Sequence, residues 1–263
     1  MRVLPEGEGV RGAGLVGGWA LMAMCTAAPP EVVVSTGEYA PWTSEKRADQ
    51  GFVNRVVAEA FRREGMSVRF QYYPWRRTLE VLRAGRADAS SFWFDDAERV
   101  REFLYSDPVS EHRELLFHRK NLSVPKWSAL EDLAAFRFGA TRGYTYTRAF
   151  WQLAGDGILT VEESADDESN FRKLLAGRID LFPMDEVSGW QMLASPLFPE
   201  GTREQVTAES RPLSLQYGHV LMRRTPDGRR LLKAFNDGLA RMKTDGTYER
   251  FREDIYRGAK VER

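Results

Sequence analysis

One unit of sequence occurs twice. "LEVLRAGRADASSFW" begins at Leu79, and "FRKLLAGRIDLFPMD" begins at Phe171. Each copy is an amphipathic helix ending in Ala-Gly-Arg, then one apolar residue, an aspartate and a strand. The two glycines, Gly85 and Gly177, stand 92 residues apart. A helix stopped by glycine before an apolar strand is one half of a βαβ unit. Two copies at that separation predict two α/β lobes of similar design. Trp93 and Asp185 then correspond, each eight residues past its glycine.

The surrounding pattern supports this. "EVVVSTG" (31–37) is a buried strand stopped by Gly37, and "GFVNRVVAEAFRREG" (51–65) is an amphipathic helix closed by Gly65. "VRFQYY" alternates as a strand, and "PWRRTLEVLRAG" opens a helix at Pro74. Later come the strand "FRFGA", a turn at Gly143 with Thr145 as a helix cap, and a helix begun by Asp166 and Asp167. After residue 207 follow a strand, "LQYGHVLM", and a last helical segment, "LLKAFNDGLARMKTDG". In open α/β sheets, ligands bind beyond the carboxyl ends of the strands. A cleft between the lobes would place the Trp93–Arg99 turn opposite Asp185. In that turn, "DASSFWFDDAER" (88–99), Asp95 is the expected helix cap with Glu98 as its capping-box partner. Asp96 is a second candidate cap, or a neutraliser of Arg99.

Several function classes are excluded. Lys+Arg and Asp+Glu are equal at 38 each, so no net field draws nucleic acid or an anionic membrane. His112, His118 and His219 have no metal-ligand spacing, and Cys25 is the sole cysteine, so neither a metal site nor a disulfide framework is expected. No phosphate-binding or dinucleotide motif occurs, and no cofactor is expected. Hydrophobic residues make up 43%, enough for a packed core. The apolar run 12–30 reads as a secretory signal over residues 1–28, cut after Ala27 or Ala28, although Glu6 and Glu8 are untypical of a leader. Lipid attachment at Cys25 is the lesser alternative, with Met24 a poor fit before it.

The ordered set "GEYAPWTS" (37–44), "GFVNRVVAEAF" (51–61), "PWRRTLEVLRAGRADAS" (74–90), "ERVREFLYSDPV" (98–109), "GATRGYTY" (139–146), "AGRIDLFPMDE" (176–186) and "MKTDGTYERF" (242–251) resembles a bacterial extracellular solute-binding protein. The family is the one that includes the polar amino-acid receptors of ABC transporters. The resemblance covers about residues 31–256. It implies an α/β, two-lobed periplasmic-binding-protein fold with two hinge crossings and a central ligand cleft. Lobe 1 would be 31–112 with 207–263, and lobe 2 would be 113–206. It implies a periplasmic monomer that holds a small solute and docks on a transporter permease.

The resemblance also implies roles. Arg99 matches the arginine that holds a ligand carboxylate; by spacing alone it reads as a surface partner of Glu98 or Glu102. Asp185 matches the acid that holds the amino group, and it also suits a helix cap. Tyr39 and Trp75 match the aromatics that sandwich the ligand, with Trp42 weaker. Tyr144 and Thr145 match the turn that donates to the carboxylate, and Glu38 and Trp93 complete the expected site. Amino-acid receptors keep small hydroxyl residues just before their arginine, where this chain has Phe94 and Asp96. The match therefore supports a solute receptor better than it supports an α-amino acid as the solute. A cyclohexadienyl-dehydratase-like enzyme, with Glu38 or Asp185 as its acid, is the runner-up. A transporter-independent sensor is the third reading.

Overall fold

The computed structural model describes residues 29–144 and 146–259. The expected signal, its cleavage site and Cys25 lie outside the described residues, as does Thr145.

The chain opens as read. Strand β1 (Glu31–Thr36) leads to helix α1 (Phe52–Arg63), β2 (Ser67–Tyr72), α2 (Trp75–Arg83) and β3 (Ala89–Trp93). β1 lies between β2 and β3, parallel to both. A four-residue helix α3 (Arg99–Glu102) and β4 (Phe103–Tyr105) follow. The chain then enters β5 (Ser110–Arg119). The second half repeats the plan with β6 (Arg137–Thr141), α4 (Arg148–Gly155), β7 (Thr160–Ser164), α5 (Asp167–Leu175), β8 (Phe182–Asp185) and α6 (Glu186–Leu193). β9 (Val206–Ala208) and β10 (Ser214–Arg223) lead into α7 (Pro226–Thr244) and α8 (Thr247–Ala259).

The two ten-residue strands β5 and β10 join the halves. They pair antiparallel from Ser214 opposite Glu114 to Gly218 opposite Ser110. Beyond this shared stretch they part. β10 shifts register between His219 and Val220 and goes on to pair with β3 and β4. β5 goes on to pair with β8 and β9. A bulge bends its strand, which lets one strand serve both halves.

The repeated unit is structural. Gly85 and Gly177 both adopt the left-handed conformation, at φ 68° and 71°, which costs a side chain but not glycine. An arginine ending a long strand reaches each turn: Arg223 of β10 lies against Gly85, and Arg119 of β5 against Gly177. Arg119 donates to the carbonyls of Leu174 (2.6 Å) and Ile179 (2.8 Å), neutralising the exposed end of α5.

Three expectations at element ends are corrected. Asp96, not Asp95, caps α3, accepting from the amides of Glu98 (3.1 Å) and Arg99 (2.8 Å). Asp95 turns outward, 70% exposed, with its carboxylate 3.6 Å from His219. Thr147 caps α4, accepting from the Phe150 amide at 3.1 Å, two residues after the expected cap. The last helix starts at Pro226 under a Thr225 cap, and α8 follows it as a separate helix.

The largest core lies where α1 and α7 cover β1, around Val34, Val56, Phe61, Phe235 and Leu239. The helices nearly touch at Gly238, where an added methyl group would overlap the Ala60 carbonyl. Gly238→Ala therefore lowers folding stability by roughly 1–3 kcal/mol in urea unfolding. Gly155→Ala, which meets nothing, does not lower it.

Candidate functional site

The site begins at the end of β3. Phe92 holds a left-handed backbone, φ 70°, which is rare and costly for a bulky residue. The ring is buried, stacked on Tyr39 with centroids 5.7 Å apart and close to His112 at 4.9 Å. Phe94 comes to the same side, 5.1 Å from His112. Trp93 turns away, packs on Trp75 at 5.5 Å, and donates its indole N–H to Ser90.

The facing wall is rich in carboxyl groups. Ser110, His112 and Glu114 alternate along β5 and so share one face. Glu114 lies opposite Asp185 of β8 in the strand register. Asp185 caps α6, taking the Ser188 amide on Oδ1 at 2.8 Å. The same oxygen takes the Trp42 indole N–H at 2.9 Å, and Oδ2 takes Nδ1 of His112 at 3.1 Å. Burial pushes the Asp185 carboxyl up, but His112, the Ser188 amide and Trp42 outweigh it and hold it below its ordinary value. Asp167, at the start of α5, accepts from the hydroxyls of Thr141 (2.5 Å) and Tyr144 (2.9 Å). Its burial raises its carboxyl.

Glu114 differs. Its hydrogen-bond partner among the described residues is the Ser214 hydroxyl, at 3.0 Å. Burial, with Asp185 and Asp167 nearby, pushes its carboxyl up to about 7.

A cavity of about 630 Å³ lies between the halves, lined by the Phe94–Arg99 turn, by Tyr146, Thr147 and Arg148, and by Ser214–Tyr217. Arg99 enters it from the first half and Arg148 from the second. Arg99 rests 5.2 Å over the Trp93 ring, and its Nη2 donates to the Phe94 carbonyl at 3.3 Å and lies 3.8 Å from Asp96. Its Nε is buried without a partner. Glu102, one alternative partner, instead pairs with Arg83.

The residues named from sequence thus divide. Tyr39 and Tyr144 meet across the cleft, with centroids 6.4 Å apart. Trp75 backs the aromatic wall, 6.0 Å from Phe92. Trp42 is buried on His112, with centroids 4.1 Å apart. Glu38 is exposed and accepts the Glu45 amide, tying its own loop. Arg99 lines the cavity and Asp185 does not. His112, Glu114 and Asp167 are not among the site residues expected from the sequence. In "SEHREL" residues 110–114 are all polar, so no local alternation distinguishes His112 or Glu114.

The sequence pattern of the bacterial extracellular solute-binding proteins, family 3, matches residues 32–257. The chain belongs to this family. It is 25% identical over 236 residues to a Vibrio harveyi protein named provisionally as amino-acid ABC transporter-binding protein PatH, covering 88% of this chain and 90% of the relative. The fold is similar to a histidine kinase sensor domain with similarity to periplasmic binding proteins. The TM-score is 0.68 at 21% identity, covering 87% of this chain and 96% of that one. It is also similar to an ancestral amino acid-binding protein, AncCDT-1, described as a precursor of cyclohexadienyl dehydratase. There the TM-score is 0.65 at 20% identity, covering 86% of this chain and 95% of that one. The family member therefore has the two-lobed fold expected from its sequence. Among the described residues, no helix is long and apolar enough to cross a membrane.

The two charged residues first named should behave differently without any solute. Asp185→Ala takes the acceptor from the Ser188 amide and from His112, while the Trp42 indole keeps the Ser188 hydroxyl, and lowers folding stability by about 3 kcal/mol or more. Arg99→Ala, at a partly exposed side chain, lowers it by less than about 1 kcal/mol. Denaturant titration of both variants checks this.

Proposed function

We propose that the protein is an extracytoplasmic, non-catalytic receptor for a small solute bearing both a cationic nitrogen and an anionic group. An amino acid is the simplest such solute, and an ABC-transporter permease is the proposed recipient. The observation that carries the reading is the charge arrangement around the cleft. Arg99, with a buried unpartnered Nε, and Arg148 stand on the cavity. Asp167, Asp185 and Glu114 lie together on the wall beside it. An arginine fork suits a carboxylate. A set of buried carboxyl groups favours a cation. Tyr39, Phe92 and Tyr144 would hold the uncharged part between the halves.

Two long crossing strands suit a hinge, so the solute would stabilise the closed arrangement that a permease reads. The name of the Vibrio harveyi relative points the same way. The enzymatic alternative is weakened at both acids first considered for it. Glu38 lies at the surface, and Asp185 is held ionised by three donors.

A thermal-shift panel of amino acids, amines, organic acids and sugars tests the reading. At least one amino acid raises the melting temperature in a concentration-dependent way, and Arg99→Ala weakens that solute by more than about tenfold. Prephenate and arogenate are not turned over. A panel in which only sugars or simple amines shift the midpoint would contradict the reading.

A further inference from the structure

The three carboxyl groups on the wall are not equally free to receive a ligand. Both oxygens of Asp185 are engaged, one by Trp42 and the Ser188 amide, the other by His112. Both oxygens of Asp167 are engaged by the hydroxyls of Thr141 and Tyr144. A carboxylate offers about four acceptor positions, yet Glu114 has one hydrogen-bond partner among the described residues, Ser214. Ser214 itself lines the 630 Å³ cavity that Arg99 enters. Glu114 therefore sits one hydroxyl behind the cavity wall, with spare acceptor capacity.

The charges around Glu114 make an unpaired carboxylate costly. Asp185 of β8 and Asp167 of α5 both act on it electrostatically, and His112, two residues earlier on its own strand, is engaged by Asp185. Tyr146, in the turn before α4, senses Glu114 electrostatically. From β10 come the Ser214 hydroxyl and, behind it, the Gln216 amide, 3.3 Å from Ser214. None of these supplies a positive charge to Glu114. Burial and the two carboxylates favour its protonated form in the empty cleft.

We propose that Glu114, rather than Asp185, receives the cationic nitrogen of the solute. A proton on Glu114 then leaves to solvent as the solute enters. The Ser214 hydroxyl swings aside or stays bonded to one oxygen while the nitrogen takes the other. Asp185 is then a positioning residue, which holds His112, Trp42 and the start of α6. The assignment rests on the receptor reading above.

The sign of the pH dependence follows. Only the deprotonated fraction of Glu114 is competent, so affinity is reduced at acid pH and recovers as pH rises through about 7. Between pH 6 and pH 8 the dissociation constant falls about tenfold, and near pH 6 about one proton is released per solute.

Isothermal titration calorimetry with L-arginine and L-glutamine checks this, with glutarate as a solute lacking a cationic nitrogen. Each titration is run at pH 6 in phosphate and in Bis-Tris, and at pH 8 in phosphate and in Tris, so that the buffer dependence counts protons. The wild type shows the tenfold change and the proton release with at least one amino acid. Glu114→Gln keeps a wild-type or higher melting temperature at pH 8, binds that amino acid at least about tenfold more weakly, and shows neither pH dependence nor proton release. Glu114→Asp, which keeps a titrating carboxyl group, retains proton release. Amino-acid binding with a flat pH profile and no proton release, or a Glu114→Gln variant with the wild-type profile, overturns the Glu114 assignment and leaves the receptor reading standing. Binding of glutarate alone, or of none of the three, overturns both.

Discussion

The antiparallel register between β5 and β10 is the constraint on which the rest depends. Ser214 stands opposite Glu114 and Gly218 opposite Ser110. A slip of one residue would turn His112 and Glu114 off the cleft face and bring Glu111 and Arg113 onto it. The same two strands end on Arg119 and Arg223, which reach the glycine turns of the two repeated units. One pairing thus aligns two halves, aims three polar side chains inward, and anchors both helix–strand junctions.

On that frame the cleft separates two kinds of polar group. Asp185 is structural in its bonding: it ties the Trp42 loop, β5 and α6 at a single carboxylate. Glu114 is its cross-strand neighbour but has no comparable set of donors. Two acids at matched positions therefore reach opposite states, one held low by its donors and one raised by burial. The left-handed Phe92 is the backbone counterpart of this tension. It places one aromatic against Tyr39 and His112 at once, which an extended residue there would not do.

The fold was largely legible in the sequence because it is written in period and punctuation. The helix ending at Gly85 and its copy at Gly177 marked two α/β units, while the two crossings came from the family resemblance alone. The caps at Asp96 and Thr147 were displaced by one or two positions, because adjacent Asp or Thr residues are chemically equivalent as caps until the backbone chooses. The site was legible in parts. Of the residues that the resemblance implied, Arg99 lines the cavity, and Tyr39, Trp75 and Tyr144 stand in the ring cluster around Phe92 and Tyr39. Glu38 stands outside it, because a carboxylate next to a turn serves the turn equally well. His112, Glu114 and Asp167 were not singled out because their meaning comes from cross-strand register and from α5, which are long-range facts that no local pattern carries.

The most direct test is the carboxyl-carbon NMR signal of Glu114, followed against pH with the side chain labelled. In the empty protein its titration midpoint should lie near 7. Saturation with an amino acid that binds should move the midpoint down by more than about one unit, since a cation beside the carboxylate favours ionisation. A midpoint in the ordinary glutamate range in the empty protein, or one unmoved by a bound amino acid, would contradict the account.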